Sequence, residues 1–237
     1  MIKFGIRQSF DRIEQVEERY SNLNVPVEVA LPYYWDIYEP IRGHLSEIAE
    51  KIKFYHAEAL SIHAVQAPIT DEKFKIRGKE MADFAKLLGV KTVTLHPNNV
   101  NKDNVVQEKA LENLKYFADL YKEQIIFCIE TFEGSRRVFT PDEIVKFNLS
   151  MTLDTAHIRN EKTIWSLLEG YKQNIKNVHL SAKDGNKQHL PIDAFCREVL
   201  SYLIETKWDG NVILEYLFEF HERMLDDLRS LESTVRV

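Results

Sequence analysis

The 237-residue chain has few of the residues that mark secreted, fibrous or membrane proteins. Its two cysteines, Cys128 and Cys196, cannot form a disulfide framework and favour a reducing cytoplasm. Eight glycines, seven prolines and an even spread of apolar residues exclude collagen-like and disordered chains. No apolar run approaches the roughly 18 residues of a membrane helix, and the N-terminus lacks a signal-peptide pattern. We therefore expect a cytoplasmic protein without a membrane partner.

Positive charge is also in the minority. The chain has 31 Lys and Arg residues against 37 Asp and Glu residues, which gives a formal net charge of −6. This balance argues against a nucleic-acid coat protein. It does not exclude a DNA enzyme, because a local basic rim can coexist with a negative net charge. With 44% hydrophobic residues the chain can bury a full core, and α/β barrels of roughly 200–250 residues often form one domain.

Short β-branched or aliphatic runs recur eight times along the chain, with helically spaced apolar residues between them. The runs are Ile2–Ile6, Pro26–Leu31, Ala59–Ala64, Thr92–His96, Ile125–Glu130, Met151–Asp154, Asn177–Leu180 and Val212–Tyr216. This alternation indicates parallel βαβ units, and eight of them predict a (β/α)8 TIM barrel, an α/β fold, as a single domain over residues 1–237. The alternative is a doubly wound open sheet, but no Gly-x-Gly-x-x-Gly motif or phosphate loop follows the first run.

Six consecutive predicted strands end in an ionisable residue on the same face. Residues two apart on a strand share a face, and the opposite face is large and aliphatic, as expected beneath helices. In a barrel the C-terminal tips converge on the mouth where active sites lie. A lone residue of this kind is usually structural, but three carboxylates and three imidazoles together need a cation, which predicts a divalent-metal site. The six residues are His63, His96, Glu130, Asp154, His179 and Glu215.

Six segments of the sequence carry a resemblance to a known family. They are SIHAVQAP, VTLHPNN, FCIETF, LDTAHI, VHLSAKDGNKQHLPI and VILEY, and they span the third to the eighth predicted strand. Together they resemble the xylose isomerase-like TIM barrels, a superfamily that includes endonuclease IV and many sugar isomerases and epimerases. The resemblance implies a metal-dependent enzyme.

The endonuclease IV pattern implies two or three zinc ions and a phosphodiesterase (AP endonuclease family 2) that acts on abasic-site DNA. In that pattern a metal-activated hydroxide attacks phosphorus. A first zinc is held by two His and one Glu, and the same Glu bridges to a second zinc. The ligands of the first are His63, His96 and Glu130, and those that complete the second are Asp154, His179 and Glu215.

The same pattern places His157 and His189 on a third zinc. The family has an Asp two residues before the last His, whereas this chain has Lys187. Either Asp184 replaces that ligand from a reshaped loop, or the ammonium of Lys187 stands in the place of a cation.

The sugar isomerases and epimerases of the superfamily imply a smaller site with one Zn²⁺, Mn²⁺ or Mg²⁺. Two Glu residues, Glu130 and Glu215, then exchange a proton on opposite faces of a small sugar or sugar phosphate through an enediolate, and His157 contacts the substrate. The single metal is held by Glu130, Asp154, His179 and Glu215. His63 and His96 discriminate between the two patterns, because a single-metal epimerase does not need both as ligands. On these two residues we prefer the hydrolase.

Other features favour the isomerase or leave the choice open. Gln66 stands where the endonucleases have a DNA-contacting Tyr, and the net charge is acidic. An aromatic segment after the second strand either stacks on a sugar or unstacked base or caps the barrel rim. A barrel that only binds a ligand is a third hypothesis, but it predicts a missing acid/base residue, whereas Glu130 and Glu215 are both present. The aromatic segment contains Tyr33, Tyr34, Trp35 and Tyr38.

Overall fold

The computed structural model describes residues 1–10, 25–31, 42–64, 69, 73–96, 104–134, 137–158 and 160–235. Its barrel strands are β1 (Lys3–Ser9), β2 (Pro26–Ala30), β3 (Glu58–His63), β4 (Thr92–Leu95), β5 (Ile126–Glu130), β6 (Ser150–Asp154), β7 (Ile175–Leu180) and β10 (Asn211–Leu214). The hairpin strands are β8 (Ala182–Asp184) and β9 (Lys187–Leu190). The α-helices in these ranges are α1 (Arg42–Phe54), α2 (Lys73–Leu88), α3 (Asn104–Tyr121), α4 (Pro141–Lys146), α5 (Glu161–Tyr171), α6 (Ala194–Glu205) and α7 (His221–Val235). None of these helices is long and apolar enough to cross a membrane.

The eight barrel strands form a closed sheet. β1 pairs with β2 on one side and with β10 on the other, and the full order is β1-β10-β7-β6-β5-β4-β3-β2. Each of the eight pairings is parallel. An open doubly wound sheet would have two edge strands, and this arrangement has none. The predicted (β/α)8 barrel is therefore confirmed.

The structure adds an antiparallel hairpin that the strand prediction does not contain. β8 and β9 pair through Asp184 and Lys187, with Gly185 and Asn186 between them. Gly185 has φ +58°, a conformation that glycine adopts without steric cost in tight hairpin turns. The two strands have only three and four residues, too few for a period of two to show in the sequence.

The two faces of the barrel strands differ in chemistry, as the alternation predicts. The outward side chains Val93 and Val178 are fully buried in one apolar cluster that includes helical residues. On the inward face, the hydroxyls of Thr94 and Thr152 lie 2.8 Å apart, and Asn177 donates to the Thr94 hydroxyl over 3.2 Å. A layer of small, hydrogen-bonded polar side chains thus fills part of the barrel below its C-terminal end.

Both cysteines are buried free thiols. Cys128 lies on the inward face of β5, two residues before Glu130, and Cys196 lies in the first turn of α6. Burial raises the pKa of each thiol to about 12, so both stay protonated at neutral pH. A protonated, buried thiol packs as a small apolar group, which supports a packing role for Cys128.

Local sequence signals start two of the helices. Thr140 caps α4: its hydroxyl accepts from the Glu143 backbone N–H over 3.2 Å, and the Glu143 carboxylate accepts from the Thr140 N–H over 2.6 Å. Pro141 occupies the first helical position, where its missing N–H costs nothing. Asp193 caps α6 by accepting from the Cys196 N–H over 2.9 Å. These caps fix where the helix after β5 and the helix after the hairpin begin.

Gly5→Ala tests how tightly β1 packs in the barrel. An added Cβ would lie 2.9 Å from the backbone oxygen of Pro26 and 3.0 Å from Leu60, and a backbone atom cannot move aside cheaply. We expect the variant to unfold in urea with a free energy about 1–3 kcal/mol below that of the parent chain. The control is Gly170→Ala on α5, where nothing lies within 4 Å, and which gains about 0.5–1 kcal/mol. A Gly5→Ala chain as stable as the parent would contradict this packing.

Candidate metal centre

The C-terminal end of the barrel brings together all six predicted strand-tip residues. His63, Glu130 and Asp154 end β3, β5 and β6, and His179 lies within β7. His96 and Glu215 follow β4 and β10 by one residue. The parallel register places Asp154 opposite His179, which explains why residues far apart in sequence meet. Five of the six are buried, and His96 is half-buried.

Four of these side chains form a tight central set around His179. Its Nδ1 atom lies 2.9 Å from Glu215 Oε2, 3.1 Å from Glu130 Oε1 and 3.7 Å from Asp154 Oδ2. One ligand atom from each of the four residues lies within 4.8 Å of the others. Three carboxylate oxygens and one imidazole nitrogen are a donor set that suits Zn²⁺ or Mn²⁺.

The two discriminating histidines approach the same carboxylate oxygen of Glu130. Glu130 Oε2 is 3.5 Å from His63 Nε2 and 3.1 Å from His96 Nε2. Each histidine belongs to a different three-residue ligand set, His63 with Glu130 and His179, and His96 with Glu130 and His157. Both histidines of the predicted first zinc site therefore contact Glu130. In the structure, however, His63 and His96 belong to two different ligand sets rather than to one.

His157 and His189 lie at the outer side of the centre. His157 Nδ1 is 3.4 Å from Asp154 Oδ2, and His189 Nδ1 is 3.6 Å from Glu215 Oε1. With Asp154 they form a further three-residue set. Asp184 and Lys187 are exposed on the hairpin, and Asp184 belongs to no ligand set of the described residues. The predicted third site thus has two histidines and Asp154, without a ligand from the hairpin turn.

Two residues that the sequence analysis did not single out also contact the centre. Arg7 on β1 forms an ion pair with Glu215. Glu28 on β2 is fully buried, and its Oε1 lies 2.8 Å from His179 Nε2. Strand alternation held a signal for Glu28, because Val27 and Val29 face outward and leave it pointing into the barrel. Both residues lie on the first two strands, outside the six family-like segments. Neither the strand-tip pattern nor the family resemblance therefore identifies them.

Three carboxylates of the centre, Glu28, Glu130 and Asp154, remain charged despite their burial. Burial alone raises the pKa of a carboxyl group, but hydrogen bonds of His179 and His63 and the charge of His179 hold the pKa of Glu130 well below its ordinary value. For Glu28, burial is the largest single influence and raises the pKa, but the charge of His179 and the hydrogen bonds of His179 and Ser61 act together to lower it to about 2. Burial likewise opposes a charge on His179, yet Glu28, Asp154 and Glu130 raise its pKa well above the usual value. The carboxylates thus draw positive charge to the position of His179.

Three of the surrounding histidines, His63, His96 and His189, are neutral at physiological pH. Burial, together with other nearby positive groups, lowers the pKa of His96 and of His189 to about 4, and it also lowers the pKa of His63. A neutral imidazole keeps a lone pair that can bind a metal. These three histidines are therefore potential nitrogen ligands rather than cations.

The residues present fit a divalent cation. Among the described residues, buried oxygens of Glu130, Asp154 and Glu215 accept no hydrogen bond of good geometry. These oxygens belong to the same four-residue ligand set. Buried carboxylate oxygens without donors are costly unless a cation satisfies them. A metal ion held by the central set would satisfy them together.

An aromatic wall and a cavity adjoin the centre. The ring of Phe132 stacks on His157 with centroids 4.4 Å apart and meets His96 edge-on at 4.7 Å. A cavity of about 1020 Å³ opens beside His157 and is lined in part by Glu133 and Lys183. This volume admits a sugar-sized molecule, and His157 is the one member of the ligand sets of the described residues that lines it. The predicted aromatic segment (Tyr33, Tyr34, Trp35, Tyr38) and Gln66 lie outside the described residues.

A closed parallel barrel with carboxylate and imidazole side chains at its C-terminal mouth defines a TIM barrel with a candidate metal centre. The chain belongs to the xylose isomerase-like TIM-barrel family, whose model matches residues 11–234. The resemblance seen in the sequence is thereby confirmed. No curated protein matches the chain in sequence.

Solved structures share this fold at low sequence identity. A xylose isomerase domain protein from Planctomyces limnophilus is 17% identical, with a TM-score of 0.67, over 98% of this chain and 95% of that one. The 3-keto-D-glucoside 4-epimerase of E. coli is 11% identical, with a TM-score of 0.64, over 100% and 99% of the two chains. A Thermus thermophilus protein soaked with ZnCl₂ is 17% identical, with a TM-score of 0.65, over 98% of each.

Asp154→Asn tests the central set directly. A ligand that binds only the folded state stabilises it by about 2.7 kcal/mol at 100 times its dissociation constant, and we expect Zn²⁺ to act in this way on the parent chain. The substitution removes the charge from one ligand oxygen, and we expect the zinc-dependent rise in melting temperature to be lost or much reduced. Asp119→Asn, the same change on the exposed face of α3, serves as the control. An Asp154→Asn chain that gains as much stability from zinc as the parent would exclude Asp154 as a ligand.

Proposed function

We propose that the protein is a divalent-metal isomerase or epimerase of a small sugar or sugar phosphate. One observation carries the proposal: the described residues contain one set of four converging ligands, and it consists of Glu130, Asp154, His179 and Glu215. This is the set that the resemblance to single-metal sugar isomerases implies. It contains two glutamates that reach the centre from different strands, as epimerisation by two bases on opposite faces of a carbon atom requires.

The four residues would hold Zn²⁺, Mn²⁺ or Mg²⁺, which supplies a Lewis acid that polarises the carbonyl and hydroxyl oxygens of a ketose. Glu130 ends β5 and Glu215 follows β10, and β6 and β7 lie between these two strands in the barrel. The two carboxylates therefore approach the centre from separate walls. One removes the proton next to the carbonyl, and the other returns a proton to the enediolate from the opposite side.

The surroundings support a sugar-sized substrate. His157 borders the cavity, and the stacked ring of Phe132 fixes its orientation, so its imidazole can contact a substrate hydroxyl. The structural neighbour from E. coli is a 3-keto-D-glucoside 4-epimerase, which adds support for a carbohydrate substrate.

Charge also favours a small sugar over DNA. The described part of the centre holds four carboxylates, whereas Arg7 is engaged by Glu215. DNA binding relies on basic side chains that neutralise phosphates, and an acidic mouth repels a polyanion. Glu28, Glu130, Asp154 and Glu215 are the four carboxylates.

The endonuclease IV-like hydrolase of abasic-site DNA is the second candidate, and one observation favours it. Glu130 belongs to three of the four ligand sets, with His63 in one and His96 in another. A carboxylate shared between sets can bridge metal ions, as two-metal phosphoesterases require. The histidines around the central set thus give the site a capacity for more than one ion.

Glu130→Gln should abolish proton exchange. A glutamine keeps the shape of the side chain but cannot take up a proton, so we expect at least a 10²-fold loss of activity. The measurement is incorporation of deuterium from D₂O into a panel of ketoses and ketose phosphates, followed by NMR with Mn²⁺, Mg²⁺ or Zn²⁺ present. Glu112→Gln on the exposed face of α3 is the matched control. Exchange at the parent rate in Glu130→Gln would refute the proposed mechanism.

His63→Ala and a metal count separate the two candidates. Under the isomerase proposal the parent chain binds one tightly held divalent ion, and His63→Ala retains it, because His63 is outside the central set. Elemental analysis of protein purified without chelator gives the number of metal ions per chain. Two or three zinc ions in the parent, the loss of one in His63→Ala, and cleavage of an abasic-site oligonucleotide would replace the proposal by the hydrolase.

A further inference from the structure

A carboxylate outside the predicted ligand set contacts the centre from within the barrel. Glu28 lies on β2, opposite Ser61 of β3, at a register shift between these two strands. Its side chain is fully buried and extends towards β7, where its Oε1 lies 2.8 Å from Nε2 of His179. Like the ligand oxygens, Oε1 accepts no hydrogen bond of good geometry from the described residues, so it is a buried acceptor that needs a donor. A buried charge in this position requires a specific reason, since a barrel interior is ordinarily filled by apolar or small side chains.

Two donors fix the carboxylate of Glu28. The Ser61 hydroxyl donates to Oε2 over 2.7 Å, and the Asn177 amide donates to the same oxygen over 2.7 Å. These donors come from strands on different sides of the barrel, β3 and β7. The carboxylate cannot rotate without breaking both hydrogen bonds, so Oε1 is held facing His179.

The two nitrogens of the His179 ring face different partners. Nδ1 faces the ligand oxygens, at 2.9 Å from Glu215 and 3.1 Å from Glu130, whereas Nε2 faces Glu28. A neutral imidazole has one nitrogen with a lone pair and one N–H. Coordination through Nδ1 therefore places the hydrogen on Nε2, where a fully buried N–H needs an acceptor.

We propose that Glu28 is a positioning residue that accepts the Nε2–H of His179 and thereby aims the Nδ1 lone pair at the metal. It fixes both the orientation of the ring and its tautomer. Glu28 is not itself a ligand, because it belongs to none of the ligand sets of the described residues. The inference rests on the metal site of the proposed function, and it is independent of the reaction that the site performs.

Glu28→Gln tests this role through zinc affinity. The amide oxygen would stay with the Ser61 and Asn177 donors, so the amide NH₂ would face Nε2 and favour the tautomer with its hydrogen on Nδ1. We expect zinc affinity to fall by about 10–100-fold, measured by competition with a chromophoric chelator. Glu58→Gln at the exposed start of β3 makes the same change in charge and keeps the parent affinity. Zinc affinity of Glu28→Gln within two-fold of the parent would overturn the proposal.

The role of Glu28 can also be tested on the parent chain, so that the test does not require the Glu28→Gln variant to fold. Long-range ¹⁵N–¹H correlations of the zinc-loaded protein report which nitrogen of each histidine carries the hydrogen. We expect His179 to carry it on Nε2, with Nδ1 bound to zinc, and the reverse arrangement would overturn the proposal. A parent chain that binds no zinc would refute the metal site itself, and the role of Glu28 with it. Zinc binding that Glu28→Gln shares equally would refute only the role of Glu28.

Discussion

The mutual repulsion of four buried carboxylates is the constraint on which the rest of this structure depends. Glu28, Glu130, Asp154 and Glu215 surround one imidazole, His179, inside the C-terminal end of the barrel. Such a cluster is stable only if positive charge compensates it, and the structure supplies part of that charge through Arg7 and the raised pKa of His179. The donor set, the burial and the unsatisfied oxygens all favour a divalent cation as the source of the remaining positive charge.

The barrel provides the rigid frame that this cluster needs. β7 carries His179 and lies between β6 and β10, which present Asp154 and Glu215 from either side. Beyond the barrel, the hairpin is joined to the segment after Glu215, because the Leu217 N–H donates to the His189 carbonyl over 2.8 Å. The Tyr216 hydroxyl donates to Asp227 on α7 over 2.9 Å. These links tie the outer histidines to the same frame as the central ligands.

The same site supports two chemistries, and the division of its ligands explains why. The central set suffices for one ion and contains the two glutamates needed for proton exchange, which favours a sugar isomerase or epimerase. The neutral histidines add nitrogen donors around Glu130, which gives the hydrolase its support. The acidic surroundings weigh against a polyanionic substrate, since electrostatic attraction provides much of the affinity of proteins for DNA. The number of bound ions is thus the property on which the two candidates differ most.

The sequence by itself determined the barrel and the six strand-tip residues, because strand alternation and parallel pairing depend on local pattern. His63, Glu130 and Asp154 are placed by the two-residue period of their own strands, whatever else the chain does. Only the tertiary structure decided which of them share a ligand set, because that depends on side-chain directions across strands far apart in the chain. It also revealed the contacts of Arg7 and Glu28. Arg7 contacts Glu215, which is 208 residues away in the chain, and Glu28 on β2 contacts His179 across the barrel on β7. The sequence pattern also could not predict the hairpin that carries Asp184 and Lys187, because its strands are too short to show a period and are defined only by their pairing.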